Sequence, residues 1–202
     1  MYLSPLQQIF RNVLRFSFAL TVDARSYFYQ FPIHPFVRNF FGLAFSRRRG
    51  TPSYRRLTRL CMGWRHSPCI AQRTSRTLLK ELRRRHPHLD FFTDVWLDNF
   101  VFAANTVEEL KTIEAQFFEI CDEINLQLHE PSEVSSSVKL LGFVLNMSDK
   151  TICHTQKWLE HLSVAATQLV TFRDWAKLCG NIIWGYTARE SPLAFLPHTI
   201  DY

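Results

Sequence analysis

The chain has 202 residues, of which 47% are hydrophobic and 14% aromatic, and it carries a net charge of +6. This length and composition are sufficient for a sizeable core and exclude an intrinsically disordered protein. Charged or polar residues interrupt the long apolar runs well short of the span of a membrane, so we expect no membrane partner.

The positive charge is concentrated in residues 46–85, which contain twelve Arg and one Lys against a single acid. This stretch therefore has a charge of +12, and the rest of the chain has a charge of −6. Clustered Arg is typical of proteins that bind a phosphate backbone, because it releases the counterions condensed on the nucleic acid. A solvated basic face is the alternative that charge alone leaves open.

The cysteines are odd in number and form no close pair of the kind that zinc sites use. They are Cys61, Cys69, Cys121, Cys153 and Cys179. We expect free thiols in a reducing intracellular compartment, with cytoplasm and nucleus equally compatible. His86, His88 and Asp90 are close enough in sequence to suggest a metal cluster, but a turn after a basic helix also accounts for them.

The first third of the chain predicts a helix and then a strand that ends at an acid. Apolar residues recur at helical spacing over residues 3–14, and the apolar run 16–22 leads directly to Asp23. Pro32 and Pro35 exclude a long helix after this strand. The aromatic residues that follow Asp23 are therefore placed on a short turn beside its carboxylate.

The basic stretch predicts two strands and a helix. Residues 40–60 have the composition of two strands joined by an exposed, Arg-rich turn. Ser67 is suited to cap the helix that follows, with Pro68 at its first position and Ile70 at the start of its apolar face. Arg and Lys occupy the opposite face of this helix.

Residues 94–102 surround the neighbouring polar residues Asp98 and Asn99 with apolar side chains. This pattern predicts two strands joined by a tight turn, with Asp98 and Asn99 at its tip. Taken alone, the segment is explained by an ordinary structural hairpin. Asp23 suggests more, because two strands that each end at a carboxylate could bring both acids together. Paired carboxylates hold hard cations beside phosphates.

The second half of the chain is predicted to be mostly helical. Thr106 and Glu109 predict a capping box at the start of a helix, and the buried face of this helix is expected to include Val107 and Ile124. The remaining predicted elements are a polar loop, a pair of strands with the turn between them, and two helices, at residues 130–137, 138–153, 156–170 and 171–188.

Four of these segments, in this order, resemble the sequence motifs of reverse transcriptases. Residues 21–33 resemble the first catalytic motif, and residues 60–72 resemble the motif that contacts nucleotide and template. Residues 96–99 occupy the place of the Tyr-x-Asp-Asp hairpin, and residues 140–144 resemble the primer grip. The resemblance covers most of the chain, and the order of all four motifs makes it more specific than any single motif.

The resemblance implies an α+β fold. This fold is a reverse-transcriptase palm, in which helices back an antiparallel sheet, followed by a small helical connection or thumb-like segment. It divides the chain into a palm with partial fingers at residues 1–146 and a thumb- or connection-like segment at residues 147–202. It also implies that most of the fingers are missing. They would be supplied by a parent polyprotein, in which a ribonuclease H domain follows.

The implied activity is RNA-directed DNA polymerisation by two-metal nucleotidyl transfer. Asp23, Asp98 and Asn99 are the implied catalytic residues. Asp23, Asp98 and the backbone carbonyl of Ala24 are the implied ligands of Mg²⁺ or Mn²⁺. The implied partners are an RNA or DNA template with its primer and deoxynucleoside triphosphates.

The resemblance also implies roles in nucleotide and template binding. Phe28 takes the place of the steric gate that excludes a ribose 2′-hydroxyl, although a core aromatic is the alternative for this residue. Met62 and Gly63 would lie against the nascent base pair. The implied template- and primer-binding residues are Arg65, Arg73, Arg76 and Gly142.

Two residues of the hairpin depart from the family motif. Asn99 stands where the second Asp is usual, and Trp96 replaces the usual Tyr. Asn99 adds no charge, so we expect weaker metal binding. The alternative function is therefore a catalytically decayed or co-opted fragment that binds nucleic acid or serves in assembly. Residues 178–184 are most similar to retrotransposons of the tyrosine-recombinase class, DIRS-like or VIPER-like.

Overall fold

The computed structural model describes residues 3–45, 53–167 and 171–187. Helix α1 (Leu6–Val13) buries one apolar face, and strand β1 (Phe18–Asp23) follows it. Helix α2 (Tyr27–Gln30) is only four residues long, as the prolines beyond it predict. A 3₁₀ helix (Pro35–Phe40) comes next. The predicted helix, strand and short aromatic turn are thus confirmed.

The basic stretch forms a two-stranded ribbon and a long helix. Strands β2 (Gly42–Phe45) and β3 (Ser53–Arg56) pair with each other in antiparallel fashion. The Arg-rich turn predicted between them lies outside the described residues. The returning strand is shorter than predicted, because from Leu57 onward the chain bonds instead to residues 31–41. Helix α3 (Ser67–Arg85) follows.

The start of α3 differs from the prediction. Its first residue, Ser67, is fully buried, and the hydroxyl donates to the carbonyl of Cys61 rather than capping the helix. The buried face is also rotated relative to the predicted one. Ile70 is exposed, whereas Gln72 and Ser75 point inward. Because two residues of the buried face are polar, the spacing of apolar residues in the sequence does not indicate where that face lies.

The hairpin strands are β4 (Phe91–Trp96) and β5 (Asn99–Ala104). Helix α4 (Val107–Glu123) follows and begins at the predicted capping box, in which the side chain of Thr106 and that of Glu109 bond each other's backbone N–H. Both ends of α4 are less buried than predicted, since Val107 and Ile124 are exposed.

Three short strands and two helices complete the described structure. Strands β6 (Ser137–Leu140), β7 (Phe143–Asn146) and β8 (Thr151–His154) form an antiparallel meander. Helices α5 (Gln156–Thr167) and α6 (Phe172–Thr187) follow, close to their predicted bounds. No helix in the described ranges is long and apolar enough to cross a membrane.

The central sheet has the antiparallel order β1-β5-β4, and each of its faces is covered by a separate core. Successive strand residues point to opposite faces. Leu20 and Phe102 therefore pack toward α3 and α4, while Ala19 and Val101 pack toward α1 and the β6–β8 meander. This arrangement of an antiparallel sheet backed by helices confirms the predicted α+β fold. The division of the chain at residue 146 stays a prediction.

Candidate active site

The register of the central sheet brings the two predicted acids together. Asp23 is the last residue of β1 and lies directly opposite Asn99, the first residue of β5. Asp98 precedes Asn99 in the hairpin turn, and its carbonyl accepts a bond of 3.0 Å from the backbone N–H of Ala24. Four of the predicted site residues thus meet at one end of the sheet, although 75 residues separate Asp23 from Asp98 in sequence.

The electrostatics of the site reflect this proximity. The pKa of Asp23 is raised above its ordinary value, first because protein atoms partly desolvate the carboxyl group and second because Asp98 repels its charge. The side chain nevertheless remains exposed to solvent as a whole. His129 partly offsets both effects by lowering the pKa. A cation bound between the two carboxylates would reduce the repulsion between their negative charges.

Asn99 contributes to the site as a hydrogen-bond donor. Its side-chain amide bonds the Oδ1 atom of Asp98 at 3.1 Å. An aspartate at this position would instead add a third negative charge beside Asp23 and Asp98. Asn99 therefore lowers the repulsion within the site and at the same time lowers its attraction for cations.

The tip of the hairpin is shifted by one residue from the prediction. The turn consists of Leu97 and Asp98, while Asn99 already pairs with Trp96 as part of β5. Leu97, rather than Asp98 or Asn99, adopts left-handed backbone, with φ of 57°. A leucine without the local side-chain bonds of Asn or Asp needs outside support in this conformation.

Gln72 of α3 supplies that support. Its side chain is buried, with an exposed fraction of 2%, and its Oε1 atom accepts a 2.7 Å bond from the N–H of Leu97. Its Nε2 atom donates to the carbonyl of Val95 at 2.9 Å. A single amide thus binds the backbone before and after Trp96, at the strand end that leads to Asp98. The sequence placed Gln72 within a motif but gave no sign of this role.

Ser75, one helical turn after Gln72, makes a second connection to the turn. Its hydroxyl donates to the carbonyl of Leu97 at 2.5 Å and lies 2.6 Å from the hydroxyl of Tyr27. The Ser75 hydroxyl also lies 3.1 Å from the carbonyl of Ala71, and either hydroxyl can be the donor between Ser75 and Tyr27. Burial raises the pKa of Tyr27 to about 12, so its hydroxyl stays protonated at neutral pH. This buried network links α2, α3 and the hairpin.

The end of β1 is held by the chain that follows α4. The carbonyl of Asp23 accepts a 2.7 Å bond from the N–H of His129. Gln30 bonds the backbone of Gln127 in both directions, donating at 2.9 Å and accepting at 2.7 Å. The position of Asp23 is therefore fixed on one side by the hairpin and on the other by this segment.

The predicted nucleotide-contacting residues lie in two places. Phe28 in α2, five residues after Asp23 in sequence, is half-buried and packs against the core. Met62 is 64% exposed, and Gly63 has a φ of +94°, which a residue with a side chain adopts only under strain. These two residues line an apolar groove of about 520 Å³ together with aromatic residues such as Trp64.

The predicted template- and primer-binding residues differ in their surroundings. Arg65 and Arg73 are exposed, whereas Arg76 is half-buried and donates to the hydroxyl of Ser4 at 3.1 Å. Gly142 lies apart from them, in the turn between β6 and β7, with a φ of +88°. Leu141 before it also has a positive φ, of 52°, so the turn has the backbone of a tight two-residue hairpin.

The donors at the sheet end suit magnesium. Proteins bind Mg²⁺ through one or two carboxylates and leave its other positions to water and substrate phosphates. Asp23 and Asp98 supply this number of carboxylates. In the ranges that the structure describes, no three His, Cys, Asp or Glu side chains are grouped closely enough to enclose a metal ion.

The repulsion between the acids predicts that the site lowers stability at neutral pH. A carboxyl group whose pKa is raised in the folded state stabilises the fold when protonated and loses that contribution as the pH rises through its pKa. Without divalent cations, Asp23→Asn is therefore expected to unfold at about pH 7 with a free energy equal to or slightly above that of the wild type. The gain should not exceed about 0.5 kcal/mol, because the carboxyl group is exposed to solvent. Chemical denaturation with a chelator present measures this difference.

Added Mn²⁺ provides the control for that prediction. A cation that binds the folded state shifts the unfolding equilibrium in its favour. The wild type is expected to gain stability with Mn²⁺, and Asp23→Asn is not. Equal gains in both proteins would show that the cation binds elsewhere.

Comparisons with known proteins agree with this fold. No family model matches the chain. The Gag-Pro-Pol polyprotein of squirrel monkey retrovirus is 22% identical over 169 residues, which is 82% of this chain and 8% of the polyprotein. A foamy viral protease-reverse transcriptase (dRH) in complex with double-stranded DNA superposes with a TM-score of 0.69 and 19% identity, over 91% of this chain and 30% of that chain.

Two other foamy viral structures give similar values. The protease-reverse transcriptase in complex with double-stranded DNA has a TM-score of 0.68 and 18% identity, over 91% of this chain and 36% of that one. Its complex with an RNA/DNA hybrid has a TM-score of 0.65 and 20% identity, over 90% and 23%. The chain thus has the fold of part of these viral proteins and spans little more than a third of their length at most. The assignment to the tyrosine-recombinase class stays a prediction.

Proposed function

We propose that this chain is the palm of a retroelement reverse transcriptase and takes part in RNA-directed DNA synthesis. The observation that carries the proposal is the pairing of β1 with β5, which places Asp23 opposite Asn99 and beside Asp98. Two carboxylates held together at the end of an antiparallel sheet are suited to nucleotidyl transfer. The fold shared with viral protease-reverse transcriptases supports the same conclusion.

In this proposal Asp23, Asp98 and the carbonyl of Ala24 bind Mg²⁺ or Mn²⁺. The bound metals would lower the pKa of the primer 3′-hydroxyl and neutralise charge on the triphosphate. The chain's own contribution is to hold the ligands at a fixed spacing. Gln72 and Ser75 fix the hairpin that carries Asp98, and the backbone bond from His129 fixes the strand that carries Asp23.

Phe28, Met62 and Gly63 would surround the incoming deoxynucleotide. Phe28 packs against the core, so its ring has the rigid backing that a steric filter against a 2′-hydroxyl requires. The positive φ of Gly63 and the exposure of Met62 suit a surface that a base pair approaches closely.

The basic helix α3 and the turn before it would bind the template. Arg65 and Arg73 are exposed and can reach phosphates, whereas Arg76 already bonds Ser4 and would contribute less. Gly142 would contact the primer strand from the β6–β7 turn. The related foamy viral proteins were solved with double-stranded DNA and with an RNA/DNA hybrid, which are the partners that this surface would require.

Restoring the usual acid at Asn99 tests the metal site directly. Asn99→Asp adds a third carboxylate opposite Asp23, and the affinity for Mn²⁺ is expected to rise about tenfold because ligand charge sets cation affinity. Titration calorimetry measures the change. Asn39→Asp serves as the matched control, because its new carboxylate would pair with Arg56 of the separate β2–β3 ribbon, and it is expected to leave the affinity unchanged.

A chimera tests the proposed activity. The chain replaces the matching region of the foamy viral protein, and extension of a DNA primer on an RNA template is measured with Mg²⁺. Incorporation that requires Mg²⁺ and both acids supports the proposal. Salt-sensitive binding of primer-template without any incorporation, and without dependence on metal, would contradict it and indicate a binding module.

A further inference from the structure

Helix α6 is joined to the hairpin by a pair of tryptophans. The rings of Trp96 and Trp184 meet edge to face, with centroids 5.9 Å apart and planes at 76°. The indole N–H of Trp184 also donates to the carbonyl of Leu141 at 3.4 Å. Trp184 therefore touches both the strand that leads to Asp98 and the turn that holds Gly142.

The next residue of α6 packs closely on its other side. A Cβ atom at Gly185 would lie 2.9 Å from the Cη2 atom of Trp158 and 3.0 Å from the Cε1 atom of His154, which is closer than van der Waals contact allows. Trp158 itself stacks on His154, with centroids 3.9 Å apart and planes at 12°. His154 in turn contacts Phe143 at 4.7 Å. Helix α6 therefore packs against aromatic rings through two successive residues: Trp184 contacts Trp96, and Gly185 contacts Trp158 and His154.

We propose that Trp96 is a positioning residue, which acts with Trp184 to couple helix α6 to the hairpin that carries Asp98. This inference deepens the proposed function and rests on it. Trp96 ends β4, an edge strand in the order β1-β5-β4, so its outer side has no neighbouring strand within that sheet. The packing of α6 against Trp96 limits the motion of this strand end. A change in the position of α6 is therefore transmitted to the spacing of the two acids.

A substitution at Gly185 can test this coupling without changing Trp96 or Trp184, because Gly185 packs closely against Trp158. Alanine normally stabilises a helix relative to glycine. Gly185→Ala is expected to have the opposite effect here, because its methyl group collides with the stacked ring of Trp158 and displaces α6. Gly180→Ala, in the same helix, meets no atom within 4 Å and is the matched control.

Hydrogen exchange of the intact chain measures the coupling. Trp184→Leu and Gly185→Ala are each expected to lower the protection of hairpin amides at residues 96–99 about three- to tenfold, the size of one aromatic contact. Trp184→Phe keeps a ring at this position and is expected to restore most of the protection. The controls Trp175→Leu, at an exposed position of α6, and Gly180→Ala are expected to leave the hairpin unchanged.

A second readout separates positioning from simple packing. If the coupling sets the spacing of the acids, Trp184→Leu also weakens Mn²⁺ binding severalfold, although Trp184 is not among the proposed ligands. Unchanged hairpin protection in Trp184→Leu and Gly185→Ala would overturn the inference. A wild type that binds no Mn²⁺ would contradict the proposed function instead, and the exchange result would still decide whether α6 and the hairpin are coupled.

Discussion

Replacing Asp98 with asparagine is expected to lower nucleotide incorporation by about a thousandfold or more. The substitution keeps the size of the side chain but removes one of the two charges that would hold the metals, and metal stabilisation of the transition state contributes several kcal/mol. The measurement is single-nucleotide primer extension by the chimera, with the variant and wild type compared at saturating Mg²⁺. Asp23→Asn is expected to have an effect of the same order.

Asp90→Asn is the control for this loss. Asp90 is exposed and immediately precedes β4, at the opposite end of the strand from the hairpin turn. Its substitution is expected to leave incorporation within about twofold of the wild type. Retained incorporation in Asp98→Asn would contradict the proposed role of the acid pair, and a similar loss in Asp90→Asn would point to general misfolding.

Gln72→Leu is expected to cost about 2 to 4 kcal/mol of unfolding free energy. Leucine has a similar volume but cannot bond the N–H of Leu97 or the carbonyl of Val95, so both groups lose their partner in a buried environment. Urea denaturation followed by circular dichroism measures the change, provided that the dependence on urea concentration is the same in both proteins.

Thr74→Val provides the comparison for Gln72→Leu. The hydroxyl of Thr74 bonds the carbonyl of Ile70 within the same helix, so its loss leaves no buried group of another element without a partner. We expect a change within about 0.5 kcal/mol. Equal effects of the two substitutions would show that Gln72 stabilises only the helix and not the hairpin.

Local patterns predicted the main elements of the fold. The apolar spacing of α1, the capping box of α4 and the prolines after α2 each depend on residues that are neighbours in sequence. The proximity of Asp23 and Asp98 was predicted in a different way, from the fact that each follows a predicted strand. The structure adds the register of β1 against β5, which pairs Asp23 with Asn99 next to Asp98.

Contacts between distant elements were not predictable in the same way. Gln72 and Ser75 are polar, so the periodicity of α3 assigned the inner face to Ile70 instead. The bonds that explain their burial go to backbone groups of the hairpin more than twenty residues away. The left-handed backbone of Leu97 was missed for the same reason, because its support comes from α3 and not from its own side chain.

The contact between Trp96 and Trp184 belongs to this second class. A tryptophan in place of the usual tyrosine was visible as a departure from the motif, but nothing nearby in sequence explains it. Its partner lies 88 positions later in the chain. Long-range partners of this kind follow from the tertiary packing of α6, which local periodicity does not specify.

The β2–β3 ribbon lies between the two acids in sequence but forms a sheet of its own, separate from the central one. Backbone bonds from Ile33 to Thr58 and from Leu60 to Phe31 close its base. Extra residues between β2 and β3 would therefore leave the acids where they are, since each doubling of the length of a connection costs only about 0.6 kcal/mol. A reporter peptide inserted there should be tolerated, whereas one added residue in β1 would reverse every side chain up to Asp23.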